Sequence, residues 1–267
     1  MLKKRVIFAL LYNNGNFMLS RNFRLQKVGD LNWLRNNYNF SQIAFSIDEL
    51  IILDVTRGKR DFDRFCVHVK ALTENCFIPI TAGGGITQAD DAVKLLRSGA
   101  DKVIVNSIVQ ENPGVLSDIA RQFGRQCIVV SVDVKMIDNQ ATIWIENGEK
   151  KSENVLEKWF EITSRLPFGE LYLNSMDRDG TGQGFLLSLL DYLPQSYDVP
   201  VIIAGGAGNY KHLAEGLEDE RVDAVATAHL FNFVGNGLEE ARSKLLDEGF
   251  FLAKWEKRFG LLQQGTD

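Results

Sequence analysis

Two glycine clusters stand where this chain could hold an anion. Thr81-Ala82-Gly83-Gly84-Gly85-Ile86-Thr87 is echoed about 120 residues later by Ile203-Ala204-Gly205-Gly206-Ala207-Gly208-Asn209. Each follows a short apolar run opened by an X-Pro step, Phe77-Ile78-Pro79-Ile80 and Val199-Pro200-Val201-Ile202, and each precedes a helix-like segment. Strand, glycine turn and helix start together bring backbone N–H groups close to a phosphate, with the positive end of the helix dipole behind them. Two cradles predict two phosphates, with Gly85 and Gly206 as contacts. The plainer reading is that each glycine cluster is only a tight connection.

Further candidates sit where other apolar runs end: Asn106-Ser107, Asp133, the loop Asp177-Arg178-Asp179-Gly180-Thr181-Gly182, and Ala228-His229. A carboxylate closing an apolar strand is costly unless it faces a polar mouth. Asp133 therefore reads as a general acid or base with a raised pKa, or else as a helix cap or a partner for Lys135. Asp179 and Gly180 suit the hydroxyl and phosphate groups of a ligand. His229 reads either as an anion ligand or as a plug. His68 and His212 fall on helical segments and are expected to face outward without a role. Neither zinc spacing nor a Ser-His-Asp arrangement is found, so no metal or cofactor is expected.

Positioning these groups requires strands that end together. Eight apolar runs read as buried parallel strands: Arg5 to Leu11, Glu49 to Asp54, Phe77 to Thr81, Lys102 to Asn106, Cys127 to Asp133, Glu170 to Asn174, Val199 to Ala204 and Ala224 to Thr227. Helical patterns alternate with them at Leu31 to Ala44, Asp61 to Glu74, Gln88 to Ser98, Val115 to Phe123, Glu153 to Arg165, Leu186 to Leu193, Tyr210 to Glu218 and Leu238 to Lys257. This alternation predicts an α/β fold, a (β/α)8 TIM barrel of the phosphate-binding type in one domain over residues 1–267, with its chemistry at the C-terminal strand ends.

Pro79 and Pro200 are 121 residues apart, as are Glu49 and Glu170, so two duplicated half-barrels are expected, at about 1–122 and 123–249, with a helical tail at 250–267. Within Met136 to Lys151, Ala141-Thr142-Ile143-Trp144-Ile145 before Asn147-Gly148 reads as a hairpin inserted above the barrel.

Composition is that of an ordinary globular protein, 45% hydrophobic and 24% charged. A net charge of −5 without a basic run offers nothing to nucleic acid or an anionic membrane. Cys66, Cys76 and Cys127 suit a reduced cytoplasmic interior. No signal peptide or membrane span is expected.

Taken together these motifs resemble one family, the cyclase subunit of imidazole glycerol phosphate synthase (HisF). The resemblance runs from about Lys3 to Phe233. It is carried by Asp48-Glu49-Leu50-Ile51-Ile52-Leu53-Asp54, Ala82-Gly83-Gly84-Gly85-Ile86, Gly99-Ala100-Asp101-Lys102-Val103 with Asn106-Ser107, Cys127 to Asp133, Asn174 to Thr181 and Ala204 to Gly208. It implies a HisH-type glutaminase docked at the N-terminal face, with Asp101 at that interface. Ammonia would cross the barrel to a bisphosphorylated aminoimidazole carboxamide ribonucleotide, which is cleaved and cyclised. Arg5, Glu49, Lys102 and Glu170 match the charged gate through which the ammonia passes.

The departures lie elsewhere. Asp133 matches the second catalytic aspartate of the family, but Leu11 stands at the first, and the internal repeat also pairs Leu11 with Asp133. Leu19 replaces a phosphate-loop lysine, Asn174 a threonine and His229 a serine. This pattern, with Lys27-Val28-Gly29-Asp30, resembles the divergent glycosyl-amidation-associated (WbuZ-type) branch. The resemblance then implies a subunit that passes ammonia to a separate amidotransferase acting on a surface-polysaccharide sugar precursor. The alternative is a working cyclase in which Asp54, Asp177 or water substitutes for the missing aspartate. A sugar-isomerase relative fits less well, since it has no need of a charged gate.

Overall fold

The computed structural model describes residues 3–38, 43–74, 76–195, 197–229 and 235–254. In chain order the elements are β1 (Arg5–Asn13), β2 (Asn16–Arg21), β3 (Arg24–Asp30), α1 (Leu31–Asn37), β4 (Glu49–Asp54), α2 (Phe62–Thr73), β5 (Ile80–Gly83), α3 (Ala89–Arg97), β6 (Lys102–Val105), α4 (Ile108–Glu111) and α5 (Gly114–Phe123). Then follow β7 (Ile128–Ile137), β8 (Gln140–Ile145), β9 (Lys150–Val155), α6 (Leu156–Thr163), β10 (Glu170–Ser175), β11 (Val201–Ala204), α7 (Tyr210–Glu218), β12 (Ala224–Thr227) and α8 (Gly237–Asp247).

The expected barrel forms. Parallel strands β1, β4, β5, β6, β7, β10, β11 and β12 pair in that order, and β12 returns to β1 with Arg5 opposite Ala224. Each strand is buried on both faces, as its unbroken run of apolar residues requires. In β4, Leu50 and Ile52 pack outward under the helices while Ile51 joins Ile7, Ile104, Val129 and Ile202 inside the barrel. Alanines at positions 9, 204, 224 and 226 make one side of this interior small.

Two antiparallel hairpins rise from the C-terminal rim, β2–β3 after β1 and β8–β9 after β7. Asn14 and Gly15 (φ 42° and 92°) turn β1 into β2, and Asp138 and Asn139 (φ 50° and 61°) turn β7 into β8. Left-handed pairs of this kind match the twist of a two-residue hairpin. The sequence reading contains the second hairpin and not the first, and β1 continues past Leu11 to Asn13.

Several helix expectations are corrected. The span Leu31 to Ala44 is α-helical only to Asn37, and a 3-10 turn follows at Ile43–Phe45. Glu153 to Val155 belong to β9, because their backbone pairs with β8, so α6 begins at Leu156. Leu187–Tyr192 is a 3-10 helix; Pro194 bars the residue before it from α geometry and leaves too short a span to nucleate a full helix. α8 stops at Asp247, and Gly249 (φ 91°) turns the chain back under the barrel. There Arg242, 2% exposed, grips Asp48 at 2.8 and 2.7 Å and the carbonyl of Ala253 at 2.6 Å. The tail is not helical over residues 251–254, and the rest of the expected Phe250–Phe259 helix lies outside the described residues. Among the described residues no helix is long and apolar enough to cross a membrane.

Candidate functional site

At the mouth β7 runs on past Asp133, the expected strand end, to Ile137 in the hairpin, and its parallel register with β10 sets Asp133 opposite Asn174. Asn174 Nδ2 donates to Asp133 Oδ1 at 2.7 Å, and Asn106 Nδ2, just beyond β6, donates to Oδ2 at 2.9 Å. Burial nevertheless dominates and pushes the Asp133 carboxyl up to about 6, the two amides opposing it and the nearby Asp179 adding to it. Leu11 lines the same space, 8% exposed. A leucine there cannot exchange a proton, so the described mouth has one strand-end aspartate of the expected pair. Asp54 is also buried at this rim and its pKa is raised by burial, with Thr56 and Arg60 opposing.

The charged loop after β10 is turned toward the protein. Asp177 accepts from Met136 N at 2.8 Å, Arg178 donates to Gln183, and Asp179 Oδ2 accepts from Ser20 Oγ at 2.5 Å and Phe23 N at 2.9 Å. The loop thus pins β7 and the β2–β3 hairpin through Asp177 and Asp179, while Asp179 and Gly180 also line the cavities at the mouth. A Cβ on Gly180 would meet the carbonyl of Ser20 at 1.9 Å, so this glycine serves backbone packing. Ser107 Oγ accepts from Glu146 N at 3.0 Å and ties the second hairpin to β6. His68 and His212 are both half-buried, correcting their outward placement: His68 lies 3.3 Å from Tyr12 Oη, and His212 Nδ1 accepts from Gly208 N at 3.2 Å.

The two cradles open into different spaces. Gly84 and Gly85 line a cavity of about 360 Å³ with Asn106, Ser107 and Asp133. Gly205 and Gly206 line one of about 60 Å³ with Leu19, Ala228 and His229. Burial pushes the His229 imidazole down, toward its neutral form.

At the opposite end, Arg5, Glu49, Lys102 and Glu170 are the first residues of β1, β4, β6 and β10 and meet inside the barrel. Arg5 Nη1 lies 3.0 Å from Glu49 and 3.2 Å from Glu170, and Lys102 Nζ lies 3.0 Å from Glu49 and 2.8 Å from Glu170. The charges alternate around a closed ring, and Thr81 Oγ1 donates to the remaining oxygen of Glu49 at 2.5 Å. Burial would raise the Glu170 pKa, but Arg5 and Lys102 together hold it below the ordinary value. Asp101, beside the ring and exposed, accepts from Ile80 N at 2.8 Å.

Sequence reasoning missed Arg57 and Arg60. Both follow the strand-end residue Asp54 and line the larger cavity; two arginines directly after a barrel strand were the available signal. Arg57 donates to the carbonyls of Phe23 (2.8 Å) and Asn147 (3.1 Å), one on each hairpin turn.

A family model described as histidine biosynthesis protein matches residues 35–235. A putative imidazole glycerol phosphate synthase subunit hisF2 of Parasynechococcus marenigrum is 46% identical over 96% of this chain and 95% of its own. Imidazole glycerol phosphate synthase subunits HisF of Streptococcus mutans and Streptococcus gordonii are 35% and 36% identical, each covering 93% of this chain and 98% of their own. The chain belongs to the HisF family.

Proposed function

We propose that this HisF-family chain is the ammonia-receiving subunit of a glutamine-dependent system. It docks a HisH-type glutaminase at the floor, forming a heterodimer, and delivers ammonia at the mouth to a phosphorylated small molecule. The observation that carries this reading is the contrast between a complete four-charge ring at the floor and a mouth in which Leu11 faces Asp133. The ring can part for a small neutral molecule, and the apolar interior above it favours ammonia over ammonium, because a bare charge there is costly to desolvate.

The acceptor belongs to the divergent glycosyl-amidation type: a surface-polysaccharide sugar precursor, aminated with the help of a third amidotransferase subunit in the cytoplasm. Leu11, Leu19 and His229 support this.

A second reading, a working cyclase, is favoured by Asp133, whose pKa of about 6 suits proton transfer near neutrality. One assay separates the two. The chain is supplied with the aminoimidazole ribonucleotide and either free ammonia or glutamine plus the glutaminase. Complex formation and glutamine hydrolysis without imidazole glycerol phosphate are expected. Turnover with free ammonia near that of an ordinary family cyclase would overturn the proposal in favour of the cyclase.

A further inference from the structure

The inward face of β10 carries three polar side chains in a row. Glu170, Tyr172 and Asn174 alternate with Leu171 and Leu173, which pack outward under the helices. Glu170 belongs to the floor ring, and Asn174 holds Asp133 at the mouth. Tyr172 lies between them, roughly 7 Å along the strand from each. Beside it, Val129, Ser131 and Asp133 face inward from β7, and Ser131 is the register partner of Tyr172.

This tyrosine marks the level at which the interior stops being apolar. Around it the interior cluster is aliphatic, with Ile7, Ile51, Ile104, Val129 and Ile202 on the larger side and alanines on the smaller. Among the described residues Tyr172 is the one polar member of that cluster, and the one buried member that lines both mouth cavities. Its ring therefore stands where the passage from the floor meets the mouth.

Buried hydroxyls normally find partners. Tyr172 and Ser131 are 5% and 8% exposed, yet neither Tyr172 Oη nor Ser131 Oγ makes a hydrogen bond to a described residue. Neither oxygen is sealed in the core as those of Ser175 and Tyr197 are, and both residues line the larger cavity. Burial, with Asp133 and Asp179 nearby, raises the Tyr172 pKa, so the phenol keeps its proton and stays a donor. A neutral donor at the end of an apolar passage suits a small molecule that carries a lone pair and no charge. Ammonia accepts from such an O–H and keeps its own N–H groups for the Ser131 oxygen, whereas ammonium has no lone pair and is costly to bring through the aliphatic interior.

We infer that Tyr172 and Ser131 form a binding station for neutral ammonia at the top of the barrel interior, below Asp133, with the Tyr172 ring closing the interior from the mouth. The inference deepens the proposed function by placing a station on the ammonia path and rests on that reading for the identity of the ligand.

The test titrates ammonium chloride into the full chain at about pH 9, where part of the ammonia is neutral and ordinary tyrosines, titrating at about 10, keep their protons. Potassium chloride at equal ionic strength is the control, and NMR reads the Tyr172 ring and the amides of Ser131, Asp133 and Asn174. Saturable shifts at these residues with ammonia and none with potassium are expected. Tyr172→Phe, which keeps the ring, and Ser131→Ala should each weaken binding by about two- to tenfold, the net worth of one neutral hydrogen bond. An equal response to potassium would make this a cation site held by Asp133 and overturn the inference, as would full affinity in both variants or no shift at these residues. The wild-type shift map stands even if a variant folds poorly. No glutaminase enters the titration: binding here without transfer in the complex would strike the proposed function and leave the site, and transfer without binding here would do the reverse.

Discussion

The two ends of this barrel treat charge in opposite ways. At the floor, two cations and two carboxylates from four strands are each bonded to both neighbours of opposite sign. At the mouth, Asp133 is satisfied only by amides, Asp54 and Arg60 form a long ion pair at 3.8 Å, and Leu11 occupies the position opposite Asp133 under the repeat. A closed ring is a structural device that needs no ligand. Unfilled charge in a cavity is a binding device that does.

The largest effect should come from rebuilding the mouth. Leu11→Asp alone is expected to change ammonia-dependent cyclase turnover by less than about tenfold, because Leu19 and His229 still line the second cradle. Leu11→Asp combined with Leu19→Lys and His229→Ser restores both a proton-transfer group and a counter-charge, and turnover should rise by about 10²- to 10⁴-fold, the usual contribution of general acid–base catalysis. A single-substitution gain as large as that of the triple variant would show that Leu11 alone separates mouth from floor.

Asp133 gives the next effect, and its sign is fixed by burial. The folded carboxyl titrates at about 6 and the unfolded one near 3.9, so between those values the native state binds more proton than the unfolded state. Stability from this group is therefore full below about pH 4 and is lost as pH rises through about 6, by an amount on the order of 3 kcal/mol. Asp54 and Asp179, also raised by burial, slope the same way and remain in the variant. Urea unfolding of wild type and Asp133→Asn from pH 4 to 7 should thus show a difference curve that falls across this window; a flat difference would remove the raised pKa.

At the floor, Lys102→Met leaves Glu49 and Glu170 sharing Arg5 alone. Breaking a fully buried pair costs about 3–5 kcal/mol. Lys102 is 17% and Glu170 13% exposed, so water compensates in part and a loss of about 2 kcal/mol is expected in urea unfolding at pH 7. If the variant matches wild type, the ring does not hold the floor together.

How much of this could be read in the chain follows from how local each signal is. Buried parallel strands announce themselves as apolar runs, so β4, β7 and β11 were legible, as were the glycine turns and the placing of Asp133 at the mouth, though β7 runs on past it to Ile137. The four ring residues were named from family likeness, and only closure of the barrel brings Arg5 within 3.2 Å of Glu170 across 165 positions of chain. The first hairpin was missed although Asn14-Gly15 carries its turn signal, because β2 and β3 mix polar and apolar residues and β3 is largely exposed. What Asp179 bonds to depends on that hairpin, so its contacts with Ser20 and Phe23 were hidden with it. Arg57 and Arg60 were overlooked although they follow the end of a barrel strand, because only the packed cavity shows what each of them reaches.

The smallest effect tests how the mouth is roofed. Arg57 stands on the loop after β4 and donates to one carbonyl on each hairpin turn, Phe23 and Asn147, while Glu149 lies 3.5 Å from its Nε. The side chain is 39% exposed, so its two charged hydrogen bonds act partly in water and together contribute about 1 kcal/mol. Arg57→Ala should leave unfolding nearly unchanged but speed amide exchange at the turns Asn22-Phe23 and Asn147-Gly148, since each hairpin is anchored at its base by other bonds and loses only its tip contact. The floor should show no change in exchange. Equal acceleration at both ends of the barrel would mean that Arg57 supports the whole fold, and the contrast between a self-sufficient floor and a ligand-dependent mouth would lose its roof.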